Sequence, residues 1–234
     1  MRTLSGTDLL HLWERGHRLH PLDQGLLALS AALPEGPRDS LADWPLGRRN
    51  QALAELRCAC FGPALQGWVE CPQCGEKLEF QMDGRALMEG GRRAPGETIV
   101  VNGCSFRLPT SRDLARAARE ADPRRAAIGL LESCCLERDV YSSWSEEDVE
   151  AVGESLAAAD PMAETRLSMP CPKCGRDWDE TLDFATFFWS EIEARARRLL
   201  MEIHTLATAY GWTEREILSL SEPRRAFYLE MVRQ

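Results

Sequence analysis

The same five-residue motif occurs twice in this chain, as CPQCG at residues 71–75 and as CPKCG at residues 171–175. Two thiols that are separated by two residues can bind one Zn²⁺, and two such pairs complete a tetrahedral Cys₄ site. The glycine after the second cysteine is expected to adopt a positive φ, so that nearby N–H groups point at the sulfurs. The repeat therefore predicts that two segments far apart in sequence meet at one metal ion.

The predicted metal ligands are Cys71, Cys74, Cys171 and Cys174. Four thiolates leave no open position for water or substrate, so we expect the zinc to be structural and not catalytic. The alternative is a pair of redox-active dithiols. Proline after the first cysteine, glycine after the second, and the absence of a helix that starts at either pair favour zinc.

Other cysteines and histidines do not suggest a clear second site. We expect the remaining cysteines to be buried and to pack as small apolar residues. These cysteines are Cys58, Cys60, Cys104, Cys134 and Cys135. A second metal site that uses Cys58 and Cys60 remains an alternative. The spacing of the three N-terminal histidines does not place a metal-binding pair on one helical face, so we expect surface or helix-end positions for them. The fourth histidine, His204, is expected to be a packed or edge residue of the C-terminal helix. The histidines are His11, His17, His20 and His204.

The charge balance argues against nucleic-acid binding, and the motifs of common enzyme classes are absent. The chain has a net charge of −9 and a pI near 5.1, and carboxylates outnumber basic side chains around both motifs (71–83 and 171–183). An acidic surface repels phosphates, so general nucleic-acid binding is not expected. No phosphate loop, nucleophile elbow, HExxH or dinucleotide motif is present, so we predict a protein that is not an enzyme.

Neither a membrane-spanning run nor a secretory signal is evident in the sequence. No apolar stretch approaches the roughly 18–20 residues that span a bilayer. The N-terminus lacks the charged start and apolar core of a signal peptide. We therefore expect a cytoplasmic protein.

The repeat extends beyond the cysteines. Alternating apolar residues predict a strand at 77–82, and shorter strands are expected at 68–70, 165–169 and 178–182. Each copy then continues into an apolar-Asp pair, Met82-Asp83 and Leu182-Asp183, before an expected helix. The sequence thus predicts a duplicated knuckle hairpin.

Between the copies, the Asn102-Gly103 turn predicts a further β-hairpin over 98–108. Helices are predicted at 111–121, 123–138 and 145–159, the last with Ser145 and Asp148 as a capping box. Exposed loops are expected at 34–47 and 90–96. Outside this region we predict two helices within 5–33, separated by Pro21, and one over 50–60.

A heptad pattern marks the C-terminal third as a long helix that ends at Gly211. Apolar residues recur at steps of four and three, and this face is either core or a docking surface, with core the simpler interpretation. Thr213 and Glu216 predict a capping box for a following short helix. The recurring positions are Ala185, Trp189, Ile192, Ala196, Leu199, Ile203, Leu206 and Tyr210.

These patterns predict an α+β fold that is mostly helical, with a zinc-ribbon-like pair of knuckle hairpins, a small inserted β-hairpin and a long C-terminal helix. We divide the chain into an N-terminal helical region (1–62), a zinc-ribbon core (63–183) and a C-terminal helical region (184–234). The core comprises the two knuckles at 63–90 and 164–183, with the β-hairpin and helical insertion at 91–163.

Several segments resemble small baseplate or tail-assembly proteins of T4-like phages and of phage-derived contractile injection systems. They are LLxLWExG at 9–16, PLGRRN at 45–50, both CPxCG motifs, RLPTSRDL at 107–114, AYGWTEREIL at 209–218, and RRxxYL at 224–229. The resemblance implies a structural or assembly role, with other baseplate or tail proteins as partners, and offers no catalytic residues.

We therefore predict a non-enzymatic structural or assembly protein of a contractile tail-like particle, stabilised by a structural Cys₄ zinc site. The C-terminal helix could support homo- or hetero-oligomers. The alternative is a zinc-ribbon regulator that binds nucleic acid or transcription machinery, which the acidic motifs disfavour. A thiol-redox or other enzyme is the third hypothesis.

Overall fold

A computed structural model describes residues 1–34, 38–90, 98–137 and 144–233, and within these ranges the protein has the predicted α+β fold. The helices are α1 (Gly6–Gly16), α2 (Pro21–Ala32), α3 (Arg38–Leu41), α4 (Leu46–Phe61), α5 (Gly84–Gly90), α6 (Ser111–Ala117), α7 (Pro123–Cys134), α8 (Glu146–Ala159), α9 (Phe184–Tyr210), α10 (Glu214–Ser219) and α11 (Glu222–Arg233). The strands are β1 (Ala64–Glu70), β2 (Lys77–Asp83), β3 (Thr98–Val101), β4 (Cys104–Arg107), β5 (Thr165–Pro170) and β6 (Asp177–Leu182).

The strands of the described ranges form separate antiparallel hairpins, β1-β2, β3-β4 and β5-β6. The first pairs Glu70 with Lys77 next to its turn, and the third pairs Pro170 with Asp177 at the equivalent place. In the middle hairpin, Asn102 (φ 50°) and Gly103 (φ 81°) form the predicted turn. A two-stranded hairpin alone is marginal in water, so the neighbouring helices and the turns must contribute to its stability.

Helix α9 is the central element of the helical part, and most of its heptad face is core, as the simpler interpretation predicts. Ile192, Ala196, Leu199 and Leu206 have no measurable exposure, whereas Tyr210 at the end of the face is 38% exposed. The helix packs against α1, α2, α4, α10 and α11. The N-terminal and C-terminal helices therefore share one packed region around α9.

The largest apolar cluster combines α1, α2, α4 and α9 with Leu182 at the end of β6. A second cluster is built from β3, β4, α7 and α8 around Phe106, which is fully buried. The inserted segment thus has a core of its own. The division of the chain into three regions stays a prediction.

Several element boundaries differ from the sequence-based expectations. The segment 34–47, predicted as a loop, contains α3 and the first two residues of α4, which begins at Leu46 because Pro45 precedes it with an extended ψ of 143°. Helices α6 and α7 end earlier than predicted, at Ala117 and Cys134. Most of the loop predicted at 90–96, namely residues 91–96, lies outside the described residues.

The predicted helix caps form. Ser145 with Asp148 and Thr213 with Glu216 make reciprocal capping boxes, and Gly211 ends α9 with φ 69°. Across the four described ranges, no helix combines the length and the apolar character that crossing a membrane requires.

Candidate metal centre

Both CPxCG motifs fold as the turn of a hairpin, and the two turns have the same hydrogen bonds. In the first, the N–H of Cys71 donates to the Glu76 carbonyl and the N–H of Gly75 donates to the Cys71 carbonyl, both at 2.9 Å. Cys171 and Gly175 repeat these bonds at the same distance. The glycines adopt φ 68° and 72°, which confirms the positive φ expected from the sequence.

The duplication continues to the ends of the hairpins. The Asp83 carboxylate accepts from the N–H of Arg85, and the Asp183 carboxylate accepts from the N–H of Ala185, both at 2.9 Å. Each copy is therefore a strand, a cysteine turn, a second strand and an aspartate that caps the next helix. This repeated unit brings both turns to equivalent places in the fold.

The turns meet, and their four predicted ligand sulfurs form one cluster. All four Sγ atoms lie within 4.8 Å of one another. The Cys71–Cys174 and Cys74–Cys171 sulfur distances, which cross between the turns, are both 3.7 Å. This separation is far longer than a disulfide bond of about 2.05 Å.

The cluster suits a tetrahedral metal ion. A Zn–S bond of about 2.3 Å gives an edge of about 3.8 Å between two sulfurs of a regular tetrahedron. The two distances of 3.7 Å that cross between the turns match this edge, and all the sulfurs lie within 4.8 Å of one another. The four cysteines can therefore hold a metal ion with little rearrangement, and thiolate ligands favour zinc and other thiophilic metals.

Electrostatics within the cluster also favour a cation. Burial opposes ionisation of Cys71, but the N–H groups of Gln73 and Cys74 and the neighbouring thiols lower its pKa to about 6. For Cys74, the N–H of Glu76 lowers the pKa, but burial and the neighbouring thiols outweigh it and raise the pKa to about 12. Thiols this close compete for one negative charge, and a divalent cation removes that competition.

The centre lies at the surface, with one side covered. Cys71 and Cys171 are buried, Cys74 is half-buried and Cys174 is exposed. Beside it, the Lys173 ammonium binds the Glu76 carboxylate at 2.8 Å and joins the turns directly. Because both partners of this ion pair are substantially exposed, it contributes little to stability.

The remaining cysteines do not join the centre. Cys104 and Cys134 are buried as predicted, whereas Cys58, Cys60 and Cys135 are only half-buried. Within the described ranges, the one group of three or more potential ligands that lie close together is the four-cysteine cluster. The second site considered for Cys58 and Cys60 is therefore not found among these residues.

The histidines lie at the surface, as expected for the N-terminal three. His17 Nδ1 lies 3.1 Å from the Glu14 carbonyl at the end of α1, and His20 Nδ1 accepts from the Leu22 N–H at the start of α2. His11 and His204 are exposed.

A buried polar cluster lies just before β5, and the sequence patterns did not predict it. Arg49 and Asn50 of α4 bond to each other, Arg49 also donates to Ser111, and Asn50 donates to the Met162 carbonyl. Helical spacing was the available signal, because Arg49 precedes the fully buried Leu53 by four residues and therefore lies on the apolar face of α4.

Comparison with known proteins adds no relative: no family model, no curated protein and no solved structure matches this chain.

Proposed function

We propose that the four cysteines bind one Zn²⁺ and that this ion is a structural staple between the two knuckle hairpins. The sulfur geometry carries the proposal, because ligands from turns 100 positions apart in the sequence form a single tetrahedron-sized cluster. With four thiolate ligands, the ion has no open position at which to activate water or bind a substrate. Binding energy at such a site becomes folding energy.

We further propose that the protein is a non-enzymatic structural or assembly component of a contractile phage-tail-like particle. The family resemblance suggests this role, and the contacts of its segments support an architectural one. In the segment RLPTSRDL (107–114), Arg107 forms a bidentate ion pair with Asp113, whose side chain is fully buried. In the C-terminal segments, the Trp212 ring lies 4.6 Å from Tyr210 and 4.9 Å from Tyr228. These residues join elements to one another.

Elemental analysis of the purified protein tests the metal proposal. We expect about one zinc per chain, because a single Cys₄ site takes one ion. Cys171→Ser should lose the zinc and unfold at a lower temperature. Cys135→Ser is the matched control, since this half-buried thiol lies outside the cluster, and it should keep the full metal content. Iron in place of zinc, two ions per chain, or zinc retained in Cys171→Ser would contradict the proposal.

Affinity purification of the tagged protein from its native host tests the assembly role separately. We expect sheath, tube or baseplate proteins to be recovered with the wild type. The Cys171→Ser variant should recover less of them if the staple shapes the interacting surface. Recovery of no tail or baseplate protein, or of nucleic acid whose binding falls steeply with salt, would count against the tail role.

A further inference from the structure

A cleft of about 630 Å³ lies where α2, α4, the α6–α7 pair and the start of α9 meet. Its volume falls in the range of about 300–1,000 Å³ that is typical of small-molecule sites. The walls are largely apolar, and Arg49 contributes the one buried cation among the described lining residues. The apolar wall residues include Leu22, Leu114, Ala117, Ala126 and Leu182.

Arg49 is buried without a carboxylate partner. Only 5% of the Arg49 surface is exposed. Its Nε and Nη2 donate to the Asn50 Oδ1 at 3.1 and 2.8 Å, and its Nη1 donates to the Ser111 Oγ at 3.1 Å. Both acceptors are neutral, and no carboxylate of the described ranges lies within 4.0 Å of the guanidinium. Buried charges are ordinarily paired, so this arrangement is costly unless an anion completes it.

The guanidinium has both a fixed orientation and spare donors. Asn50, which accepts from it, is itself held by bonds to the Met162 and Ala163 carbonyls at 2.8 and 3.1 Å. A guanidinium carries more N–H groups than the three hydrogen bonds that Arg49 makes. Asn50 takes the Nε–Nη2 edge, so one N–H on Nη1 and one on Nη2 remain, and a group held in place by neutral partners in this way is preorganised for an anion.

The carboxylates at the rim of the cleft are engaged elsewhere. Asp183 accepts from the N–H groups of Ala185 and Thr186 at the start of α9. Glu164 pairs with Arg166 at 3.0 Å. Asp183 acts on Arg49 only through space, where it raises the pKa that burial lowers. Neither rim carboxylate therefore takes the place of a bound anion.

We propose that this cleft binds a small carboxylate with an apolar tail, with the carboxylate on Arg49 and the tail between α2 and the alanines of α6 and α7. The apolar walls would give a bare inorganic anion little to contact, whereas they would bury a short hydrocarbon chain. The first turn of α2, through Pro21 and Leu22, adds the positive end of a helix dipole to the same cleft. None of the cysteines of the sulfur cluster lines the cleft, but β6 contributes Leu182 to its walls, so the binding tests use the protein as purified, without chelator.

Calorimetric titration with octanoate and with octanamide tests the charge requirement. We expect octanoate to bind at least about tenfold more tightly than its neutral amide, a difference of about 1.4 kcal/mol. Arg49→Gln keeps an N–H donor but removes the charge, and it should weaken octanoate binding by a similar factor. Arg48→Gln is the matched control, because Arg48 is exposed and stacks on Trp44 at 4.0 Å. It should bind octanoate like the wild type.

A second variant tests the apolar walls without touching the Arg49 network. Ala117→Trp fills the cleft from α6 and should abolish binding of octanoate. Its far-ultraviolet circular dichroism spectrum should match that of the wild type, which shows that the variant is folded. A tripeptide with a C-terminal leucine, run beside octanoate, distinguishes a peptide end from a free acid as the source of the carboxylate. Three outcomes would overturn the proposal: no octanoate binding by wild type at about 1 mM, equal binding of octanamide, or full binding by the Ala117→Trp protein.

Discussion

At the residue scale, Gly47 shows how closely α4 approaches the end of α8. Its N–H donates to the Asp160 carboxylate at 2.8 Å, and both residues are buried. A Cβ at this position would lie 1.7 Å from the Asp160 Oδ1, so any side chain must displace a buried carboxylate. Only glycine fits at this position. The hydrogen bond from Gly47 to Asp160 joins residues that are 113 positions apart in the sequence.

We therefore predict that Gly47→Ala destabilises the protein by about 3 kcal/mol, because overpacking a well-packed site costs about 1–3 kcal/mol and a buried hydrogen bond is disturbed as well. The measurement is urea unfolding followed by circular dichroism. Gly129→Ala is the control, since it lies inside α7 with nothing within 4 Å of the added methyl. That change should stabilise the protein by about 0.5–1 kcal/mol. Equal stabilities for the two variants would contradict the close approach.

At the element scale, the knuckle hairpins depend on support from outside themselves. In β2, every second residue is exposed and the others are only half-buried, and β6 buries only Leu182. Two-stranded sheets with so little covered surface are marginal. By contrast, α4 and α9 contribute fully buried residues such as Leu53 and Ile192 to the largest apolar cluster. Loss of the metal should therefore affect the two kinds of element differently.

We predict that metal chelation loosens the hairpins before the helical core. Hydrogen–deuterium exchange read by mass spectrometry should show faster exchange in peptides that cover β1-β2 and β5-β6, by about tenfold or more if the staple contributes at least about 1.4 kcal/mol to local stability. Peptides from the middle of α9 should keep their protection. The β3-β4 hairpin provides an internal control, because it packs in its own cluster away from the cysteine turns. Equal acceleration in all three hairpins would argue against a local staple.

At the scale of the whole molecule, the sequence was informative where a signal is local or periodic. The CPxCG spacing located all four members of the sulfur cluster, and the steps of four and three located the buried face of α9. Contacts between distant segments were not accessible in this way. The Arg49–Ser111 and Asn50–Met162 bonds join residues 62 and 112 positions apart, and each depends on how the insertion packs on the N-terminal helices. A single sequence has no periodicity that reports such pairs.

Stability is expected to depend on pH through the buried carboxylate of Asp113, whose partners Arg107, Thr110 and Arg116 lie within six residues of it in the sequence. Burial would raise the pKa of this carboxyl, but Arg107 and Thr110 hold it well below its usual range. Arg116 and Ser133 also donate to it. A depressed pKa in the folded state means that the stabilisation is present above the unfolded value of about 3.9 and is lost as the pH falls through and below it.

We accordingly predict that Asp113→Asn costs about 1.5–3 kcal/mol at neutral pH, since it removes the charged acceptor of the hydrogen bonds from the partly exposed Arg107, and that this cost shrinks as the pH falls below about 4. Urea midpoints of wild type and variant, measured from about pH 7 down to about pH 2.5, provide the test. Asp148→Asn is the control: the pKa of Asp148 is also lowered, by Ser145, but this capping box is exposed and screened by solvent, so the cost should be clearly smaller than that of Asp113→Asn. The metal ligands and the other carboxylates are common to all three proteins, so the difference isolates Asp113. Parallel wild-type and Asp113→Asn curves over the whole range would mean that the Asp113 charge does not stabilise the fold.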